Sequence, residues 1–300
     1  MTDLTGFRVV AVHAHPDDEV LFTGGTLADL ARRGATVTLL TLTLGDEGEV
    51  IGEPYQSVVD NGVLAGLRVR ELEDAVAALG IEHEFVGGAG FFRDSGMEGS
   101  PAHEHPRALV NRVEEAAGHL RGRFAELDPH IIVTYGPDGG YGHPDHIAVH
   151  KAVHAAAGDR RVWWAVFDRA QNYAGLDTLT EPEGWQKPDR DYLDNFTNEA
   201  SETETFVRYP LDDAAYAAKR AGMAAHPTQI WLADGTVSRT NPVSAFAGIG
   251  DPAVAPVAFG LSNLLVMPLL RAEFYHLGQA GTAAAAPAEG AAGLFAGLER

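Results

Sequence analysis

The stretch FRVVAVHAHPDDE, residues 7–19, decides the fold because it joins a buried strand to a polar turn. Phe7–His13 is a compact run rich in β-branched residues and predicts the first strand. A helical pattern follows over Leu21–Arg33, and Thr36–Leu44 predicts a second strand. The chain therefore begins with a strand, a helix and a strand, which is the order of a parallel βαβ unit.

The same alternation continues through the next hundred residues. Further strands are predicted at 84–86, 130–135 and 161–167, and helices at 63–79, 108–127 and 145–157. Strands that alternate with helices call for a parallel sheet covered on both faces. The sequence predicts an α/β fold with a mostly parallel, Rossmann-like sheet, helices on both faces and a smaller C-terminal subregion.

Beyond residue 167 the pattern is looser and indicates a different organisation. Residues 177–204 contain nine acidic against two basic residues, which is typical of a solvated loop or insertion. We predict a Rossmann-like metal-binding catalytic core at 1–170, and a region at 171–277 that completes the substrate pocket. Residues 278–300 are predicted to form a flexible Ala/Gly-rich tail that could end in a short helix at 294–298.

Composition excludes several functional classes. The 300 residues include 42 acidic and 22 basic side chains, a formal net charge of −20, and no cysteine. This charge disfavours nucleic acid and anionic membranes as partners, because both need clustered Lys and Arg. The missing cysteines exclude disulfides, thiolate metal sites and a cysteine nucleophile. Because the sequence shows neither a signal-peptide pattern nor an apolar run long enough to span a bilayer, we expect a cytoplasmic protein.

Two motifs that follow predicted strands contain candidate metal ligands. Residues 14–19 read AHPDDE, and residues 140–146 read GYGHPDH. In each motif two potential ligands are three residues apart, so one helical turn brings them to the same side. Ligands of open α/β sheets bind beyond the carboxyl ends of the strands, where strand order reverses. If the strands at 7–13 and 130–135 flank that point, both motifs face one crevice, and two histidines with a carboxylate suit a catalytic zinc.

A structural role for these residues is the alternative. An aspartate before a helix is usually an N-cap, so either motif alone favours structure, whereas the two together favour a metal site. We predict structural or surface positions for eight other histidines: His13 packed on its strand, His150 and His154 at a helix surface, and His83, His103, His105, His119 and His130 facing solvent.

Polar, glycine-rich segments after other strands contain candidate substrate contacts. Asp46, Glu47, Arg68, Arg93 and Asp94 could exchange hydrogen bonds with sugar hydroxyls, and simple loops are the alternative. A nucleotide site is disfavoured, because no GxGxxG motif follows the first strand.

The motifs together resemble the zinc-dependent N-acetylglucosaminyl-phosphatidylinositol deacetylase family, also called LmbE-like. AHPDDE and the later HPDH carry the resemblance, which spans nearly the whole chain. TLGDEGEVIG (43–52), GGAGFFRDSGM (87–97) and AAHPTQ (224–229) look like the branch that deacetylates N-acetylglucosaminyl-inositol in mycothiol biosynthesis. The resemblance implies a hydrolytic deacetylase with a small-molecule glycoside substrate. The alternatives are the mycothiol S-conjugate amidase branch and a non-catalytic sugar-binding module.

The resemblance also implies a metal cofactor. One zinc ion per chain would be held by His15, Asp18 and His146, with ferrous iron as an alternative metal. Asp17 looks like the general base that activates water at the metal. One departure is that residues 274–276 read Phe-Tyr-His where the family has a His-Tyr pair, so the resemblance assigns that segment no role.

Further roles follow from the same resemblance. His143 looks like the acid that protonates the leaving amine or stabilises the oxyanion, and Asp145 would orient it. Tyr141 resembles the family tyrosine that polarises the acetamide carbonyl. Arg68 and Asp94 match positions that bind the sugar–inositol substrate, and Glu47 is a further candidate contact.

Overall fold

Strands and helices alternate through the first half of the chain, as the sequence predicts. The computed structural model of the protein describes residues 2–199, 205–282 and 288–300, with Pro54 described by its backbone only. In these ranges the strands are β1 (Arg8–His13), β2 (Thr36–Thr41), β3 (Glu82–Phe85), β4 (Ile131–Tyr135), β5 (Arg161–Asp168), β6 (Leu179–Thr180), β7 (Thr197–Asn198), β8 (Phe206–Pro210), β9 (Trp231–Leu232), β10 (Gly248–Ile249), β11 (Val257–Gly260), β12 (Met267–Leu269) and β13 (Ala272–Gln279). The α-helices are α1 (Gly24–Arg32), α2 (Gln56–Asp60), α3 (Leu64–Leu79), α4 (Val113–Leu127), α5 (Pro144–Ala156), α6 (Arg169–Asp177), α7 (Arg190–Asp194), α8 (Asp213–Ala224) and α9 (Gly290–Leu294).

The central sheet has the strand order β3-β2-β1-β4-β5-β13-β8. β1 pairs in parallel with β2 on one side and with β4 on the other, so strand order reverses between β1 and β4. β5 continues the parallel part, whereas β13 runs antiparallel to both β5 and β8. The predicted α/β class with a mostly parallel sheet is confirmed.

Helices cover the sheet in two packed groups. α4 packs against α5, and α8 packs against α1 and α3. The side chains of strand β1 are buried from Val9 to His13, on both faces of the sheet. A strand covered on both faces reads as a continuous apolar run, which explains the pattern of this segment. Among the described residues, none of the helices has the length and hydropathy that crossing a membrane requires.

Several predicted boundaries differ from the structure. The predicted helix at 21–33 begins earlier, as a π-helical turn at Glu19–Thr23, and only then becomes α1. The predicted helix at 108–127 begins at Val113, after a separate 3₁₀ turn at Leu109–Asn111. The terminal helix is α9 rather than 294–298, and Leu294 and Phe295 pack into the core.

The C-terminal third contributes strands to the central sheet. β8 and β13 lie almost wholly within the range 171–277, so the predicted division at residue 170 does not coincide with an edge of the sheet. The same range also forms two small sheets, β12-β11-β9 and β10-β6, around an apolar cluster that includes Trp185, Leu193 and Val266. Residues 200–204 of the predicted acidic insertion and 283–287 of the predicted tail lie outside the described residues.

Candidate active site

The two sequence motifs meet where strand order reverses. The turns after β1 and β4 are neighbours because these strands pair directly. The first turn contains His15 and Asp18, and the second leads to His146 in the first turn of α5. Asp18 makes no side-chain cap to the π-helical turn that follows it, so the N-cap alternative does not describe this residue. In α5 the cap is His143, whose Nδ1 accepts a hydrogen bond from the Asp145 amide at 3.2 Å.

His15, Asp18 and His146 bring three potential ligands together. His146 Nε2 lies 3.2 Å from His15 Nδ1 and 3.2 Å from Asp18 Oδ1. His15 Nδ1 lies 3.3 Å from Asp18 Oδ2. Ligand atoms around a tetrahedral zinc with bonds of about 2.0–2.1 Å are about 3.3 Å apart. Each of these pairs has that spacing, with the two imidazoles facing different oxygens of the Asp18 carboxylate.

Outer partners fix which nitrogen of each ring faces this cluster. His146 Nδ1 lies 2.9 Å from the Gly139 carbonyl oxygen, which can only accept, so the proton is on Nδ1 and Nε2 is free to ligate. His15 Nε2 lies 3.3 Å from Asp145 Oδ2 and 3.6 Å from Asp94 Oδ1, which leaves His15 Nδ1 facing Asp18. A histidine with one nitrogen on a carbonyl or carboxylate and the other free is the usual arrangement of a metal ligand.

Two further groups overlap with this one: His15 with His143 and His146, and His15 with Asp94 and Asp145. In the first group, His143 uses Nδ1 as an acceptor, so its neutral ring has the proton on Nε2 and no second lone pair to offer. In the second group, Asp145 accepts hydrogen bonds from the Ser95 amide at 2.8 Å and its hydroxyl at 2.5 Å. These contacts favour outer roles for His143, Asp94 and Asp145.

The buried charges of the cluster shift the pKa values of its members. Burial alone would raise the pKa of Asp18, but His146 and His15 bring it well below its usual range. Burial alone would lower the pKa of His15, but Asp94, Asp145 and Asp18 raise it well above its usual value. The electrostatic field at the cluster therefore favours positive charge.

Tyr135, the last residue of β4, joins the two motifs and was not singled out from the sequence. Its hydroxyl donates to Asp18 Oδ2 at 2.7 Å and accepts from the Ala14 amide at 2.8 Å. Its ring stacks on that of His146, with centroids 4.1 Å apart and planes within 5°. The only sequence signal is that a buried tyrosine at a strand end needs a partner for its hydroxyl.

Asp17 has a strained backbone and a tightly held carboxylate. Its φ of 111° lies in a region that residues other than glycine rarely adopt. Arg68 Nη2 lies 2.9 Å from Asp17 Oδ2, and the same guanidinium donates to the Pro16 and Gly45 carbonyl oxygens. Burial raises the pKa of Asp17 to about 6, against the opposing effect of Arg68. Arg68, predicted as a substrate contact, thus also fixes a candidate catalytic group.

Glu19 and His226 form a second contact to Asp17 that sequence reasoning missed. Glu19 Oε2 accepts a hydrogen bond from the Asp17 amide at 2.8 Å, and Glu19 Oε1 lies 2.6 Å from His226 Nε2. His226 belongs to the AHPTQ segment, quoted above only as part of a resemblance. Both side chains are fully buried.

His143 and Tyr141 lie on the open side of the cluster. The His143 ring centroid is 4.6 Å from that of His15, and burial, reinforced by His15 and His146, lowers the pKa of His143 to about 2. Tyr141 is 44% exposed and its ring centroid is 5.0 Å from that of His146. The Asp145 carboxylate contacts Ser95 and His15, so its contact with His143 is through the backbone amide.

The cluster lies in a cavity of about 700 Å³. Eight predicted site residues line it, namely His15, Asp17, Asp18, Glu47, Arg68, Asp94, Tyr141 and His143. Asp145 and His146 are buried behind this lining. Further lining residues come from the C-terminal half, including Tyr192, Phe196, Gln229, Leu261 and Met267. The structure therefore lines one cavity with these predicted residues and with side chains from residues 171–277, whose individual members the sequence analysis did not name.

His13 is fully buried, as predicted, with Nε2 3.1 Å from the Thr23 hydroxyl oxygen. His150 and His154 are half-buried rather than at the surface, because Trp164 packs beside them and donates to His154 Nε2 at 2.9 Å. Neither lines the cavity in the described part of the chain.

The fold and the cluster define an α/β protein with a candidate metal centre, and comparison with known proteins gives the family. Residues 10–157 match the model of the family described as PIG-L: GlcNAc-PI de-N-acetylase. The 1D-myo-inositol 2-acetamido-2-deoxy-alpha-D-glucopyranoside deacetylase of Corynebacterium glutamicum is 50% identical over 300 residues, which cover 99% of this chain and 98% of the relative. The chain belongs to the PIG-L family and is a hydrolytic deacetylase.

Other relatives bear the same description. The protein of Corynebacterium efficiens is 51% identical over 97% of this chain and 93% of its own length. That of Rhodococcus erythropolis is 39% identical over 92% of each chain. Among solved structures, a triple mutant of a deacetylase involved in the teicoplanin biosynthetic pathway aligns with 20% identity and a TM-score of 0.49, over 74% of this chain and 82% of that chain. This distant likeness carries no argument about the site.

Proposed function

We propose that the chain is a zinc-dependent deacetylase of 1-D-myo-inositol 2-acetamido-2-deoxy-α-D-glucopyranoside, releasing the free amine and acetate in mycothiol biosynthesis. The observation that carries this proposal is the placement of Asp17 beside three potential ligands at the wall of a cavity of about 700 Å³. Relatives about half identical over nearly the whole chain, which are named for this substrate, support it.

The proposed ligands are His15, Asp18 and His146. Their mutual distances and outer hydrogen bonds support this set over the two overlapping groups. Nitrogen and carboxylate ligands suit zinc and also accept ferrous iron, which stays an alternative. When bound, the zinc would act as a Lewis acid and lower the pKa of a coordinated water from about 15.7 to about 7.

Asp17 is the proposed general base. Its carboxylate would accept the proton of the attacking water, and Arg68 holds Asp17 Oδ2 at 2.9 Å while this happens. A general base works best when its pKa is close to the working pH, and burial moves the pKa of Asp17 in that direction.

His143 and Tyr141 are the proposed groups for the tetrahedral oxygen. His143 accepts at Nδ1 from a backbone amide, so its Nε2–H is free to donate towards the cavity. Because its pKa is lowered, the ring is a neutral donor, which favours oxyanion stabilisation over proton delivery. Tyr141 would add a hydroxyl donor from the mouth of the cavity.

The region at 171–277 is proposed to complete the substrate pocket. Tyr192, Phe196 and Gln229 come from this region and line the same cavity as the catalytic residues. Glu47, Arg68 and Asp94 are the proposed sugar or inositol contacts. A cytoplasmic location and the absence of nucleic-acid and membrane partners stay predictions from the sequence.

The test combines metal analysis with acetate release from the glucosaminyl-inositol. Asp17→Ala should keep its metal and lose nearly all turnover, whereas His15→Ala and His146→Ala should lose both. His154→Ala is the matched control, because it removes a half-buried histidine further along α5 whose Nε2 accepts from Trp164, and it should keep metal and rate. Full zinc occupancy in either ligand variant would refute the ligand set, and an active Asp17→Ala enzyme would remove Asp17 as the base.

The same assay separates the alternatives. Faster hydrolysis of a mycothiol S-conjugate than of the glucosaminyl-inositol would identify the amidase branch. Substrate binding without acetate release in the zinc-loaded protein would identify a sugar-binding module.

A further inference from the structure

The buried pair of Glu19 and His226 joins the π-helical turn after β1 to the segment after α8. Both side chains are fully buried, and Glu19 Oε1 lies 2.6 Å from His226 Nε2. The second oxygen, Glu19 Oε2, accepts the Asp17 backbone N–H at 2.8 Å. The pair therefore ends at the backbone of the proposed base.

Asp17 needs such a contact because its backbone is strained. A φ of 111° is unfavourable for a residue with a side chain and persists only where surrounding contacts enforce it. Arg68 restrains the carboxylate end of Asp17, and Glu19 restrains its amide end. The two contacts together fix the direction of the Asp17 side chain.

A second buried pair in the same region shows a different pattern. Glu273 pairs with Lys219 at 2.6 Å and accepts the amides of Gly25 and Thr26. Those amides belong to the first turn of α1, where unpaired N–H groups are normal. Glu19 instead accepts from Asp17, whose carbonyl oxygen accepts the Val20 and Leu21 amides at the start of the π-helical turn. This contact differs from that of Glu273 because the residue it holds has a strained backbone and bears the proposed base.

We propose that Glu19 and His226 are positioning residues, which hold Asp17 in the orientation that its role as general base requires. This inference rests on the proposed function, because it assumes that Asp17 is the base. His226 orients Glu19, and Glu19 holds the Asp17 amide. Neither residue touches the substrate in this scheme.

The decisive variants are Glu19→Leu, Glu19→Gln and His226→Leu, each assayed for kcat, KM and metal content. Glu19→Leu removes the acceptor and should lower kcat about 100-fold, the scale of a misplacement of about 1 Å, with KM and metal content unchanged. Glu19→Gln should have a kcat close to that of the wild type, because its amide oxygen can still accept a hydrogen bond from the Asp17 backbone N–H. Its NH₂ can donate to His226 Nε2 only with the ring proton on Nδ1, which is buried without a partner in the described structure, so this variant should lose stability while kcat is retained.

A readout independent of turnover follows the Asp17 amide itself. In metal-free protein, amide hydrogen exchange at residue 17 should be faster in Glu19→Leu than in the wild type or Glu19→Gln. Tyr209→Phe is the matched control, because it removes a buried 2.6 Å hydrogen bond to the Asp29 carboxylate outside the cavity lining. It should lower the melting temperature without changing kcat.

Three outcomes distinguish the positioning role of Glu19 and His226 from a purely structural role and from a failure of the proposed general base. Wild-type kcat in a destabilised Glu19→Leu protein would overturn the positioning role and leave only a structural pair. If Glu19→Leu does not fold, His226→Leu takes its place as the test, because Glu19 is then present but has lost its buried partner. An unchanged kcat in His226→Leu would overturn the inference. An active Asp17→Ala enzyme would instead refute the proposed base.

Discussion

Replacing Tyr135 with phenylalanine should weaken zinc binding about 10- to 100-fold, the usual cost of losing an outer partner of a metal ligand. The Tyr135 hydroxyl donates to Asp18 Oδ2 at 2.7 Å and orients this carboxylate towards His15 and His146. Phenylalanine keeps the ring that stacks on His146, so the substitution removes the hydroxyl alone.

The same substitution should also cost stability. The hydroxyl accepts the Ala14 amide at 2.8 Å, and both residues are fully buried. An unpaired buried donor costs about 1–3 kcal/mol, and we expect a loss of that size in the free energy of unfolding of the metal-free protein. The loss in zinc affinity corresponds to a further 1.4–2.8 kcal/mol or so in the binding free energy.

The assay measures zinc affinity by competition with a chelator, and stability by urea unfolding without metal. Tyr209→Phe is again the control, because its hydroxyl donates to Asp29 rather than to a proposed ligand. It should lose stability and keep wild-type zinc affinity. Unchanged zinc affinity in Tyr135→Phe, alongside metal loss in His15→Ala, would refute the assignment of Asp18 as a ligand oriented by Tyr135.

Three further predictions concern neighbouring residues. Burial lowers the pKa of His13 to about 4, below the ordinary 6.5, so its contribution to stability is complete above pH 6.5 and is lost as the pH falls towards 4, by up to about 1.4 kcal/mol per pH unit. Urea unfolding of metal-free protein at pH 7 and 4.5 should show a smaller loss for His13→Leu than for the wild type, and equal losses would contradict this. Gly139→Ala should reduce zinc content in metal analysis, because the new Cβ would lie 2.8 Å from His146 Cβ at a φ of +68°, and full occupancy would count against it. His143→Gln should lower kcat about 100- to 1000-fold with zinc retained, as for the loss of an oxyanion donor, and wild-type kcat would exclude that role.

The sequence was sufficient for the parallel part of the fold and for the two motifs. Short apolar runs and helical spacing are local signals, and β1, β4 and α5 follow them closely. The prediction that the two motifs face one crevice required β1 and β4 to be neighbouring strands. The pairing of Val9 with Ile131 confirms that they are. Once these strands are adjacent, the positions of the following turns are largely determined.

The parts that sequence reasoning missed depend on contacts between distant segments or on backbone atoms. Glu19 and His226 are 207 residues apart, so no local pattern links them. Arg68 binds the carbonyl oxygens of Pro16 and Gly45, which have no signature in side-chain identity. The pairing of β13 with β5 was missed because β13 is antiparallel and comes from a distant segment. No helical crossover, which would indicate the pairing in the sequence, joins the two strands.

The buried carboxylates of the site matter more for function than the net charge of the whole chain. Asp18, Asp94 and Asp145 are almost fully buried, and their ion pairs in the described structure are with His15 and His146. Carboxylates removed from water are costly unless they are paired, and His15 lies beside all three, which raise its pKa well above the usual value. A divalent cation bound at the imidazole nitrogens that face Asp18 would balance the negative charge of these carboxylates. A Lys or Arg side chain could also balance it, but would fill the space that the reaction needs. The net charge of −20 bears only on which partners the sequence predicts, whereas these three buried carboxylates support the proposed metal site.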